Sequence, residues 1–188
     1  MSPYQYSLLP LKDDNIRLLC LLPSENESAI LQCKLLDYSL RSDTRIHLYE
    51  ALSYVWGNQD VTLPIQVDGL EFPITINLHA ALSCLRDHSF PRIIWVDAIC
   101  IDQDNLQERA YQVQLMAKLY SKAQRVIVWL GEETEDTEGA LEDLRRAANQ
   151  GFAGSLEKEA MQQATLNLLH RPWFQRIWVS KHLSKISG

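Results

Sequence analysis

The chain has 188 residues, with 24 Asp+Glu against 18 Lys+Arg and a formal net charge of −6. Its 46% hydrophobic and 22% charged residues are a globular composition, which excludes disorder, because disorder needs low hydrophobicity together with high net charge. The acidic balance argues against a nucleic-acid binder, and no apolar run approaches the roughly 18 residues that cross a bilayer.

Cys20, Cys33, Cys84 and Cys100 are scattered. No Cys-x-x-Cys or Cys/His pair has metal-site spacing, so neither structural zinc nor a disulfide framework is expected. The pattern implies a reduced, cytoplasmic setting, and the N-terminus lacks the basic and apolar segments of a secretory signal.

Residues 1–45 read as an N-terminal β extension. Its strands are Ile16–Leu21 and Ile30–Leu35, with a loop over Pro23–Ser28. Tyr49–Gly57 is crowded with apolar and aromatic residues and suits a strand buried on both faces. Residues 64–76 predict a hairpin with Asp68-Gly69 as its turn. Asn77 then reads as the N-cap of a helix, with Leu78, Ala81, Leu82 and Leu85 inward. Ile93–Val96 is a further apolar strand, ending at Asp97.

The strongest helical period runs from Asn105 to Ala123. Leu106, Ala110, Val113, Ala117 and Tyr120 form its apolar stripe, which Met116 widens, and Asp102 and Asp104 stand as caps at its start. Arg125–Gly131 predicts a third buried strand, so that Trp95 and Trp129 are expected in the core on neighbouring central strands. Residues 132–143 hold seven acidic residues and no basic one. Two more helices are expected around Leu141–Ala148 and Ser155–Leu168, before a basic tail carrying Arg171, Arg176, Lys181 and Lys185.

Strands alternating with helices predict an α/β three-layer sandwich with a largely parallel central sheet. In open α/β sheets ligands bind beyond the carboxyl ends of strands. The binding candidates are therefore Ser53, Trp56 and Gly57 at one strand end, Asp97 at another, and Asp102 and Arg109 just beyond it. Each has a plainer reading: Asp97 as a turn acceptor, Asp102 as a helix cap, Arg109 as a partner in a stabilising ion pair. Cys100 lies in an apolar run and reads as a buried, inert thiol.

Four segments in order resemble the heterokaryon-incompatibility (HET) domain of filamentous fungi. They are Tyr49–Gly57, Ile94–Gln103, Glu108-Arg109 through Tyr120 to Val128–Gly131, and Arg171–Trp178. The resemblance covers about residues 46–182 and implies a domain over 46–188. Family members trigger cell death when incompatible hyphae fuse, so it implies a signalling module in non-self recognition. Protein partners or self-association are expected.

The family is also distantly similar to TIR domains, which are flavodoxin-like in fold, and some of which cleave NAD. That likeness implies NAD as a substrate rather than a bound cofactor. It also implies a glutamate near the C-terminus that stabilises the oxocarbenium-like transition state. Here Lys181 and His182 stand where Gln and Glu are expected, and Asp102 stands where the family commonly has Asn. A lysine cannot stabilise a developing cation, so the departure favours signalling by association over turnover, or a truncated, inactive copy. The acidic stretch 132–143 and the basic tail suggest head-to-tail contacts between copies.

Overall fold

The computed structural model describes residues 4–41, 47–134, 145, 162–163 and 165–175. The chain divides into two units, Met1–Trp129 and Leu130–Gly188.

The first unit contains β1 (Asn15–Leu21), β2 (Gln32–Ser39), β3 (His47–Ser53), β4 (Thr62–Val67), β5 (Leu70–Thr75), α1 (Ile76–Leu85), β6 (Arg92–Trp95), the single turn α2 (Asp97–Cys100), α3 (Leu106–Lys122) and β7 (Ala123–Val128). Its strands form one seven-stranded sheet in the order β5-β4-β2-β1-β6-β3-β7. β3 is parallel to both β6 and β7, and β2 is parallel to β4. β1 runs antiparallel to both β2 and β6, and β4 to β5.

The sheet is therefore mixed rather than largely parallel. The difference comes from β1 and β2, whose strands were expected in an N-terminal extension. β1 lies inside the sheet, between β2 and β6. Its apolar run is buried because both faces of the sheet are covered there, and Ile16, Leu19 and Leu21 are at most 1% exposed.

Alternation across β3 explains the layering. Tyr49 donates its hydroxyl to the Leu119 carbonyl of α3 at 2.6 Å. Its neighbour Glu50 binds Arg92, whose other guanidinium nitrogen holds the Leu85 carbonyl at the end of α1. Successive strand residues face opposite sides, so helices lie on both faces, as a sandwich requires.

The hairpin forms as expected. Asp68 and Gly69 both take positive φ (51° and 80°), which the tight two-residue turn between β4 and β5 requires. Helix α1 starts two residues earlier than expected. Thr75, not Asn77, accepts the Leu78 amide as N-cap, which releases the Asn77 side chain for another task.

Helix α3 departs furthest from its periodicity. Its buried face is Glu108, Gln112, Leu115, Met116 and Leu119, while Leu106 and Val113 are 66% and 54% exposed. The inward face is partly polar because it meets Arg17 of β1. That guanidinium, 1% exposed, donates to both Glu108 oxygens (2.5 and 3.1 Å) and to the Ser7 and Cys100 carbonyls. Gln112 donates to the Asn15 carbonyl at 2.8 Å. Neither Asp102 nor Asp104 caps α3. Asn105 does, accepting the Gln107 and Glu108 amides, while the Asp102 carboxylate accepts the Asp104 amide within the preceding turn.

β7 is an edge strand, not a third buried one, and Val126 and Val128 are 46% and 42% exposed. Trp129 follows it and is half-buried, so it lies at the sheet margin, whereas Trp95 is fully buried on β6.

In the second unit, Arg171 donates to the Glu132 carbonyl at 2.9 Å and to the Thr134 hydroxyl at 3.1 Å. A 3₁₀ turn follows over Pro172–Gln175. The helix expected around Leu141–Ala148, most of the acidic stretch, and the tail with Arg176, Lys181, His182 and Lys185 lie outside the described residues.

Candidate functional site

Three parallel strands, β3, β6 and β7, end at Ser53, Trp95 and Val128. The residues just beyond these ends are tied together by side chains rather than by sheet pairing. The Trp56 indole donates to the Asp97 carboxylate at 3.0 Å. The other Asp97 oxygen accepts the Ala98 amide at 2.8 Å, so the carboxylate orders the turn into α2. The Trp129 indole donates to the Asn77 carbonyl oxygen at 2.9 Å, and the Asn77 amide donates to the Val55 carbonyl at 2.6 Å. Asn77 thereby clamps the segment after β3 to the segment after β7. The Ser53 carbonyl accepts the Trp129 amide at 2.9 Å, extending that pairing by one residue.

The structure brings Trp56, Gly57 and Asp97 together, with Ser53 at the end of the same strand. Arg109 is one step removed and joins through Gln103, whereas Asp102 gives its amide to Glu108. The Gln103 amide donates to the Asp97 carbonyl at 2.8 Å, and Arg109 reaches the Gln103 carbonyl at 3.4 Å. Arg109 is exposed and its neighbour Glu108 is buried, as adjacent helical positions require. The chemistry of the edge is a pair of indoles oriented by a carboxylate and an amide. It offers aromatic faces and fixed polar groups rather than a nucleophile–base pair.

Cys100 is fully buried, and desolvation pushes its thiol up to about 12, so it cannot act as a thiolate near neutral pH. Among the described residues, no group of three or more His, Cys, Asp or Glu side chains could hold a metal ion. Nor is any described helix long and apolar enough to cross a membrane.

Gly57 holds φ at +76°, a conformation that costs a side chain about 1–2 kcal/mol. An added Cβ would meet Asn77 Cβ at an ordinary 3.5 Å, so the cost is one of backbone conformation alone. Gly57→Ala is therefore expected to lower stability by about 1–2 kcal/mol in urea unfolding. An unchanged midpoint would contradict the role given to the glycine.

Sequence reasoning missed two residues. Asn77 reads as a helix cap, and nothing local marks it as a clamp. Arg17 did carry a signal, as a lone cation inside an apolar strand, and such a residue requires a buried partner.

A family model described as heterokaryon incompatibility protein (HET) matches residues 49–181. Heterokaryon incompatibility protein 6, OR allele, of Neurospora crassa is 34% identical over 156 residues, covering 75% of this chain. The chain spans only 22% of that protein's length. No solved structure matches the chain. The matched span contains β3 from Tyr49 onward, the Trp56–Asp97 pair, the Asn77 clamp and the whole of α3, and on these grounds the chain belongs to the heterokaryon-incompatibility family.

Proposed function

We propose that the chain is the HET signalling module of a fungal non-self recognition protein, and that it triggers cell death when incompatible hyphae fuse. The observation that carries this reading is the family match over residues 49–181. Its motif residues Tyr49, Glu50, Trp56, Asp97, Gln103 and Glu108 hold one connected frame of strand ends and helix starts. The parallel β3–β6–β7 portion, with its strand ends at one edge, supports the likeness to TIR domains. In this reading Ser53, Trp56, Gly57 and Asp97 form the recognition edge, with Asp102 and Arg109 at its rim. Induced expression of the chain in a filamentous fungus should arrest growth and let a vital dye into the hyphae. Normal growth at equal protein level would overturn the proposal.

Signalling here rests on association rather than turnover. NAD is the substrate the TIR likeness suggests, but Lys181 and His182 replace the expected Gln and Glu. Purified protein incubated with NAD is expected to release nicotinamide no faster than a boiled control. Sustained release above that control would reassign the chain as an NAD-cleaving enzyme.

A further inference from the structure

His47, the first residue of β3, is 1% exposed, and both its ring nitrogens are engaged. Its Nδ1 lies 2.6 Å from the Tyr38 hydroxyl of β2, and its Nε2 lies 3.3 Å from the ammonium of Lys122, the last residue of α3. The same ammonium donates to the Leu40 carbonyl, just beyond β2, at 2.6 Å. An ammonium has hydrogens and no lone pair, so the ring nitrogen facing it must be the acceptor. His47 is therefore neutral, with its hydrogen on Nδ1, where it is donated to Tyr38. One ring thus ties together the end of β2, the start of β3 and the end of α3. The backbone contributes less there, because the β3–β7 ladder shifts register between His47 and Glu50 and leaves the His47–Ala123 pair apart from the rest.

We propose that His47 is a proton-operated latch, which holds this junction closed as a neutral ring and releases it on protonation. A proton added at Nε2 finds no acceptor among the described residues and faces the Lys122 charge at 3.3 Å. Repulsion then separates Lys122 from His47 and from the Leu40 carbonyl, and the α3–β7 junction loosens. The groups on the surrounding elements do not offset the new charge. On β2, Tyr38 offers only a hydroxyl, and Asp37 alternates to the other face. On β3, Tyr49 meets the ring edge-on with its hydroxyl committed to Leu119, and Glu50 is held by Arg92 and Arg125. On α3, Lys118 is a further cation, bonded to Asp14, which Arg41 also meets. Asp43 and Arg45, which precede His47 in the chain, lie outside the described residues. Burial first and the Lys122 charge second hold the imidazole below the ordinary histidine value. The unfolded chain therefore takes up a proton that the folded one resists. The stability from the neutral ring is present above a pH of about 6.5 and is lost as the pH falls below it.

Hydrogen exchange reads the latch residue by residue. The Leu40 amide bonds the Asp14 carbonyl and the Ala123 amide bonds the Leu119 carbonyl, so both report on the junction. His47→Gln is the reference, because its side-chain carbonyl can accept from Lys122 and its amide can donate to Tyr38, yet it takes up no proton. His79 is also held low, by burial and by Arg86, so each reading is a difference from His47→Gln. At about pH 5.5 both amides should exchange at least about tenfold faster in the wild type than in the variant, and at about pH 7.5 at equal rates. In the wild type at the lower pH they should also be less protected than the amides of β1, as local opening demands. Lys122→Met approaches the pair from the other side and stands in if His47→Gln fails to fold. It should raise the pH at which the His47 ring titrates by NMR. Junction exchange that ignores His47→Gln, protection equal to that of β1, a His47 titration at or above about pH 6.5, or one that Lys122→Met leaves unmoved would each overturn the proposal.

Discussion

Trp95→Ala is expected to lower stability by about 3–5 kcal/mol, the largest effect of any single truncation in the sheet. Trp95 is fully buried on β6, which lies between β1 and β3, and its ring meets Tyr120 edge-on at 5.7 Å. Removing it opens a cavity between the central strands and α3, and packed neighbours relax only partly into such a space. Its indole nitrogen has no hydrogen-bond partner among the described residues. Trp95→Phe therefore loses volume but also removes an orphaned donor, and should cost well under half as much. Trp129→Ala should cost less than Trp95→Ala, because Trp129 is half-buried beyond an edge strand. Urea midpoints of the three variants check the ordering, and equal losses at Trp95 and Trp129 would contradict the central place given to β6.

Glu108→Ala is expected to cost about 3–5 kcal/mol, because it leaves the Arg17 guanidinium buried without a counter-charge. The loss would spread beyond the pair. Arg17 also holds the Ser7 carbonyl and lies 4.9 Å from the Tyr6 ring centroid, and Glu108 accepts the Asp102 amide. One ion pair thus joins the N-terminal segment, β1, the α2–α3 loop and α3. The double substitution Arg17→Met with Glu108→Leu should recover much of the loss, since apolar residues of similar volume often replace a buried pair without penalty. A double-mutant cycle by chemical denaturation measures the coupling. Additive losses, with no recovery in the double variant, would show that the two residues act independently.

The edge beyond β3 and β6 was legible where the chain itself announces a strand end. Trp56-Gly57 and Asp97 follow apolar runs closed by a glycine or a charge, and the structure joins them. Asn77 was not legible in this role. A polar residue before a helical pattern reads as a cap, and only the nearness of the β3 and β7 ends turns its amide into a clamp. For the same reason β7 looked buried. Its valines favour a strand on either side of a sheet, and whether another strand follows is decided by topology.

By itself the sequence determined the main strands and helices between Asn15 and Val128, the Asp68-Gly69 turn and the family. Those depend on local backbone preference, turn chemistry and period, all carried by neighbouring residues. The tertiary structure alone decided the strand order, the mixed sheet and the orientation of α3. Periodicity reports that a helix has an apolar stripe, but not that the stripe faces inward. Here Arg17, 91 positions before Glu108 in the chain, required a buried carboxylate. The cost of an unpaired buried charge exceeds that of leaving one leucine and one valine partly in water. That balance set Glu108 and Gln112 inward beside Leu115, Met116 and Leu119 and left Leu106 and Val113 in solvent.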